Sequence, residues 1–258
     1  MIKFLKFSGI FFSFLVLMLL PYAVAAQTLR IAVAANAQGV IQKLQADFKK
    51  QTGIGIEVIV GASGKLTAQI MNGAPYDIFL SADTEFPEKL YQEGFAIQKP
   101  KIYALGSLIV CGHVEGDFKN WQKLLVDAQT VKIAIANPKI APYGKAAEQA
   151  LKFYKLTDRV SSKLVFGESI SQVNTYLQTG VVRIGFTTEA FLYEQKSKKQ
   201  VKWARVDQKS YEQIAQSAVL LSYAKKGKLA DATRFYNYLY SAAARKIIAA
   251  NGYHLPQQ

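Results

Sequence analysis

Gly61-Ala-Ser-Gly-Lys-Leu-Thr-Ala-Gln-Ile-Met-Asn-Gly-Ala-Pro-Tyr-Asp-Ile-Phe-Leu-Ser-Ala-Asp83 reads as turn, helix, turn, strand and turn in quick succession. It follows a strand-like run, Ile56 to Val60, and Gly61 and Gly64 flank Ser63 where that run gives way to a helix over Lys65 to Met71. A strand that ends in a glycine turn and opens a helix exposes backbone N–H groups at the helix start. With the Ser63 hydroxyl beside them, they make a place for an anion.

The same alternation continues on both sides. Leu29 to Ala34 reads as a strand, and Ile41, Leu44 and Phe48, with Val40 beside them, give a helical stripe that Gly53 ends. Asp77 to Leu80 is a strand, and Glu85 to Gln92 a helix stopped by Gly94. A second set has strands at Leu108 to Cys111, Val131 to Ile135 and Val182 to Phe186, with helices near 143–154 and 170–178. After Ala218-Val-Leu-Leu221 the chain closes with two helices, one lined by Ala232, Phe235 and Leu239, the other by Ile247 and Ile248, with Gly252 beyond.

Strand–helix alternation predicts an α/β fold with mostly parallel sheets flanked by helices. Two sets and a late return predict two lobes: 27–106, then 107–216, then 217–258 back in the first. The chain would cross between them near 104–108 and 213–220. Ligands of open α/β sheets sit beyond the carboxyl ends of the strands, so facing lobes would line one cleft with helix starts.

Residues 1–26 carry Lys3 and Lys6, the apolar run Ile10 to Leu20, and Pro21-Tyr-Ala-Val-Ala-Ala26. This is the pattern of a signal peptide cleaved after Ala25 or Ala26, and it predicts export to the periplasm. The cleavage region holds no cysteine to carry a lipid anchor. No later stretch of the sequence is apolar for long enough to span a bilayer. The single cysteine, Cys111, follows the apolar run Ser107-Leu-Ile-Val and reads as a buried, inert thiol. The formal charge is +14, of which Lys3 and Lys6 contribute two. Export argues against nucleic acid as a partner. The basic cluster Lys196-Ser-Lys-Lys199 with Lys202 reads as a solvated face.

Four strand-to-helix junctions look alike. They are Ala34-Ala-Asn-Ala37, Ala62-Ser-Gly64, Asn137-Pro-Lys-Ile-Ala-Pro-Tyr-Gly144 and Gly167-Glu-Ser-Ile-Ser-Gln172. Asn36 and Ser169 are N-cap candidates, Pro142 sits just before a helix and puts Tyr143 in its first turn, and the Ile170 N–H is an orphan donor. Taken singly, each junction also fits an ordinary capped helix.

Together, Ala32-Val-Ala-Ala-Asn-Ala37, Gly61-Ala-Ser-Gly64, Gly73-Ala-Pro-Tyr-Asp-Ile-Phe-Leu-Ser-Ala-Asp83, Ala141-Pro-Tyr-Gly-Lys-Ala-Ala147 and Gly185-Phe-Thr-Thr-Glu-Ala190 resemble the periplasmic molybdate-binding proteins, the solute receptors of molybdate ABC importers. The likeness runs in order over nearly all of the mature chain. It implies a two-lobed, hinge-closing periplasmic binding protein of type II, a monomer that delivers molybdate or tungstate to a membrane permease. It implies no catalysis, no cofactor, and molybdenum held only as molybdate. It nominates Asn36, Ser63, Tyr143 and Ile170 as oxyanion contacts, Ser63 through both its O–H and N–H, Ile170 through its backbone N–H, and Ala35 likewise beside Asn36. Many members carry serine in place of Asn36 and a ligand tyrosine in place of Phe186. This chain is similar to a second branch with Asn and Tyr at the positions of Asn36 and Tyr143.

The donor chemistry agrees. A tetrahedral dianion without a proton needs donors only, and none of the nominated residues is acidic or basic. Lys65 and Lys145, one or two residues from the motifs, are expected to point outward and attract anions at a distance. Asp83 is expected to serve its turn. Two rival readings remain. A receptor for another tetrahedral oxyanion, sulfate first, would use the same fold. An exported hydrolase would need a nucleophile and base, paired carboxylates or a metal, and neither of the two histidines, His113 and His254, has a neighbouring Cys, His or Asp spacing that reads as a metal site.

Overall fold

A computed structural model describes residues 28–194 and 201–257. The expected signal peptide and Lys196–Lys199 of the basic cluster lie outside the described residues.

Strands β1 (Leu29–Ala34), β2 (Ile56–Gly61), β3 (Ile78–Ser81) and β4 (Lys101–Gly106) alternate with helices α1 (Gln38–Thr52), α2 (Ser63–Met71) and α3 (Glu85–Gln92). The second set comprises β5 (Leu108–Gly112), α4 (Trp121–Val126), β6 (Ile133–Ala136), α5 (Pro142–Phe153), α6 (Thr157–Val160) and β7 (Leu164–Gly167). It continues through α7 (Ile170–Thr179), β8 (Ile184–Thr188), α8 (Phe191–Glu194) and β9 (Lys202–Arg205). Strand β10 (Ile214–Leu220) and helices α9 (Leu229–Tyr238) and α10 (Ala242–Ala249) complete the chain.

Two five-stranded sheets result, ordered β2-β1-β3-β10-β4 and β7-β6-β8-β5-β9. In the first, β1 pairs in parallel with β2 and β3, and β10 runs antiparallel between β3 and β4. In the second, β6 pairs in parallel with β7 and β8, and β5 runs antiparallel between β8 and β9. Each sheet therefore has one reversed strand, and that strand lies next to a crossing. The chain leaves the first sheet at Gly106, enters the second at Leu108, and returns through residues 206–213. The whole of β10 belongs to the first sheet, so its first three residues precede the boundary expected after residue 216.

The two crossings are sewn together. Ile214 pairs with Gly106, and the Leu108 N–H donates to the Tyr211 hydroxyl at 3.1 Å. The C-terminal segment adds a bridge, with Leu105 and His254 exchanging backbone hydrogen bonds of 2.8 and 2.9 Å.

Each lobe has its own core. Val40, Ile41, Leu44 and Phe48 bury the expected stripe of α1, and Phe48 meets Phe235 edge-on at 5.1 Å. Side chains of this size each contribute about 1.5–3 kcal/mol on full burial, which outweighs weak helix propensity. Gly53 ends the helix at φ 74°, as its C-cap. The second core gathers Ile133, Ile135, Leu151, Val173 and Phe186 around Trp121. Phe186 is fully buried there, 5.5 Å from the Trp121 ring. Two strands begin two residues later than expected, at Ile133 and Ile184. The β6 ladder opens at Ile133 against Leu164, leaving Val131 71% exposed. Cys111 is buried and its thiol is pushed up to about 12 by that burial, as an inert thiol requires. Among the described residues no helix is long and apolar enough to cross a membrane.

Candidate functional site

Four helix starts converge where the lobes meet. The residues that precede three of them are alanines. Ala34 precedes the 3-10 turn Ala35–Ala37, Ala62 precedes α2, and Ala141 precedes α5, and none of these helix starts has a side-chain cap. Alanine at an N-cap forgoes about 1 kcal/mol relative to serine, aspartate or asparagine, and leaves first-turn N–H groups without a side-chain acceptor. Only α7 is capped in the ordinary way, by Ser169 accepting from the Gln172 N–H at 3.4 Å.

All four starts line one small cavity of about 10 Å³, walled by Ala34, Ala35, Asn36, Ala62, Ser63, Ala82, Ala141, Pro142, Tyr143 and Ile170. The five residues nominated from the sequence, Ala35, Asn36, Ser63, Tyr143 and Ile170, are all in this wall. The wall contains no Asp, Glu, Lys or Arg. Its field is that of helix N-termini, each carrying roughly half a positive charge.

Ser63 is 1% exposed, and its hydroxyl accepts from the Ala82 N–H at 3.1 Å. The oxygen is thus held in place while its proton stays available. The Tyr143 ring is 2% exposed, and its oxygen accepts from Gln216 Nε2 at 3.4 Å. Burial, then the neighbouring Tyr211 and Tyr103, hold this phenol well above its ordinary value, so it keeps its proton.

Asn36 departs from the expected N-cap role. It lies inside the 3-10 turn, and its Nδ2 donates to Gln216 Oε1 at 2.8 Å and to the Tyr253 hydroxyl at 3.1 Å. Those two bonds use both amide protons, which leaves the backbone N–H groups of Ala35 and Asn36 as this junction's offering. Phe186 is absent from the cavity wall because it packs on Trp121.

Lys65 and Lys145 lie outside the cavity wall with half-exposed side chains, and each is engaged in ion pairs. Lys65 pairs with Glu168 at 2.5 Å, and Lys145 with Glu85 at 3.1 Å and Glu212 at 3.4 Å. Both bind one lobe to the other. The Gly64 N–H donates to the Ile140 carbonyl at 2.9 Å across the same gap. A Cβ at Gly64 would lie 3.0 Å from Ile140 Cα, so glycine permits this approach. Ser171 Oγ reaches Gln38 Oε1 at 3.1 Å, and the Gly39 N–H donates to Glu194 at 3.1 Å. The cleft is closed. Asp83 serves its turn, its Oδ1 accepting from Ser81 Oγ at 2.8 Å and the Phe86 N–H at 3.3 Å. Burial raises its carboxyl to about 6.

A larger cavity of about 500 Å³ opens beside the cleft, lined by residues such as Gln42, Lys43, Thr175, Gln178 and Glu194. The first turns of α1 (Gln38 and Gly39) and α7 (Ser171) reach it along with their sides, but the Gly39 N–H is taken by the Glu194 carboxylate, and the wall carries both that carboxylate and the Lys43 ammonium. The chemistry of an anion favours the small cavity. Among the described residues no three His, Cys, Asp or Glu side chains group as a metal site.

The bacterial extracellular solute-binding protein family model matches residues 29–254. The chain belongs to this family. Members bind solutes for transport rather than transform them. It is 35% identical over 238 residues to the molybdate-binding protein ModA of Azotobacter vinelandii, covering 92% of this chain and 94% of that one. The ModA of Rhodobacter capsulatus is 33% identical over 225 residues, covering 86% of each. The solved structure of the A. vinelandii periplasmic molybdate-binding protein superposes with a TM-score of 0.83 at 36% identity, over 89% of this chain and 100% of that one. The two-lobed α/β fold is thus shared with this family member of known structure.

Gln216, Tyr253 and the alanine caps went unnoticed in the sequence. The alanines carried a readable signal, since they stand where a helix start ordinarily has a polar cap. Gln216 carried another, a lone amide between apolar residues in Ile214-Ala-Gln-Ser-Ala-Val-Leu220.

Proposed function

We propose that this chain binds molybdate, and tungstate through the same contacts, in the periplasm, and delivers it as a monomer to the membrane permease of an ABC importer. The observation that carries the reading is the convergence of uncapped helix starts on a cavity whose wall is uncharged and whose polar groups are neutral donors. Such a wall suits a tetrahedral dianion that brings no proton, because its free polar groups can donate and no carboxylate repels. Ser63 O–H and N–H, Tyr143 O–H, and the backbone N–H groups of Ala35, Asn36 and Ile170 are the contacts. No cofactor is needed, since donors and helix termini alone stabilise the charge. The similarity to molybdate-binding proteins in sequence and structure supports the same ligand.

A thermal-shift series with molybdate, tungstate, sulfate, phosphate and chromate tests the assignment. Molybdate and tungstate should each raise the melting temperature, with a Kd of micromolar or tighter, about −8 kcal/mol or better. A shift with sulfate and none with molybdate or tungstate would overturn the ligand and keep the fold.

A further inference from the structure

We infer that Gln216 is a positioning residue that holds the Tyr143 phenol with its proton turned toward the bound anion. The inference rests on the oxyanion reading above and adds a group outside the cavity wall. Gln216 is fully buried on β10, at a break in register where Gln216 pairs with Ala104 but Ser217 pairs with Ile102. It sits where the return crossing joins the first sheet, between Asn36 of one lobe and Tyr143 of the other.

The hydrogen bonds around it leave one arrangement of protons. The Tyr253 O–H donates to the Asn36 carbonyl at 2.7 Å. Its proton is thereby spent, so its oxygen can only accept from Asn36, at 3.1 Å, and the group facing it must be Nδ2. Asn36 Nδ2 then requires an acceptor from Gln216, which is Oε1 at 2.8 Å. That choice turns Gln216 Nε2 to the Tyr143 oxygen at 3.4 Å. A flipped Gln216 would set donor against donor at Asn36. The Tyr143 oxygen therefore accepts, and among the described residues no acceptor takes its own proton. The phenol is left as a donor, in the wall of the anion cavity.

Gly106 makes room for this contact. A Cβ there would lie 2.0 Å from the Tyr143 hydroxyl and 2.9 Å from Gln216 Nε2. The last residue of the outgoing crossing strand and the amide of the returning strand thus grip one phenol from the opposite lobe. Tyr143 reaches them from the second lobe in the closed arrangement.

Calorimetric titration with sodium molybdate of the parent, Gln216→Met, Tyr143→Phe and the double variant tests this. Gln216→Met keeps the side-chain length and removes both hydrogen bonds. It should weaken binding about tenfold, and should add less than about threefold once Tyr143 is already Phe, because both changes act on one hydroxyl. Gln216→Glu offers an acceptor where Nε2 donated, turns the phenol proton away from the anion, and should abolish binding while keeping the bond from Asn36. If melting shows Gln216→Met to be unfolded, the Glu variant carries the comparison. A parent that binds with Gln216→Met binding equally well, or singles whose losses simply multiply in the double variant, would overturn the role of Gln216 and leave the ligand assignment standing. A parent that binds no molybdate would overturn both, and the parent titration alone tells the two failures apart.

Discussion

Tyr143 is the phenol of the proposed site. Pro142 places it in the first turn of α5, and the fold brings its hydroxyl to the hinge at Gly106 and Gln216. Tyr143→Phe removes one hydroxyl and keeps the ring. A hydrogen bond to a charged group contributes about 1.5–3 kcal/mol, so molybdate affinity should fall about tenfold to a hundredfold. Melting without ligand should barely move, because among the described residues the protein bond lost is the long one from Gln216. An unchanged affinity by calorimetry would remove Tyr143 from the site. Asp83 offers an independent check on the wall behind Ser63. Its raised carboxyl means the folded protein favours the neutral form. That contribution is full below the ordinary carboxyl value and is lost as the pH rises through about 6. Asp83→Asn should therefore be more stable than the parent above pH 6 by about 1–3 kcal/mol, and the gap should close toward pH 4. Urea midpoints across that range measure it, and a variant less stable at pH 8 would contradict the cause.

Helix starts without side-chain caps distinguish the proposed site. Natural helices normally satisfy their first turn with a side chain, and three of the four starts at this site do not. Ala62→Asp would supply the missing acceptor to α2. The unliganded protein should lose little stability or gain up to about 1 kcal/mol, while binding of molybdate disappears, since a carboxylate would occupy the anion's place. A variant that still binds tightly would show that this helix start is not a contact. Much of this was legible from residues: the strand–turn–helix rhythm, the glycine-flanked Ser63, the proline before Tyr143. What was not legible depends on contacts remote in sequence. Asn36 looked like a cap because Asn commonly caps, and only the fold shows its amide spent on Gln216 and Tyr253, 180 and 217 residues away. Lys65 and Lys145 read as outward charges that attract anions at a distance, and their ion pairs were not legible because the partners lie on the other lobe or at the crossing.

Two lobes joined by two crossings would make closure the event that assembles the proposed site. Ala35, Asn36 and Ser63 belong to one lobe and Tyr143 and Ile170 to the other, so the donors surround an anion only when the cleft shuts. Small-angle scattering should show the radius of gyration fall on saturation with molybdate, and no change would indicate a rigid, preformed site. The cross-lobe ion pairs are half-exposed and contribute little, so Lys145→Ala should change affinity less than about threefold. The direct test is a crystal structure grown with molybdate, with molybdenum located by its anomalous scattering. One peak per chain should lie within hydrogen-bond reach of the Ser63 hydroxyl, the Tyr143 hydroxyl and the Ile170 N–H. A peak instead in the larger cavity beside Lys43 and Gln178, or no peak in a chain that crystallises with its lobes closed, would contradict the site proposed here.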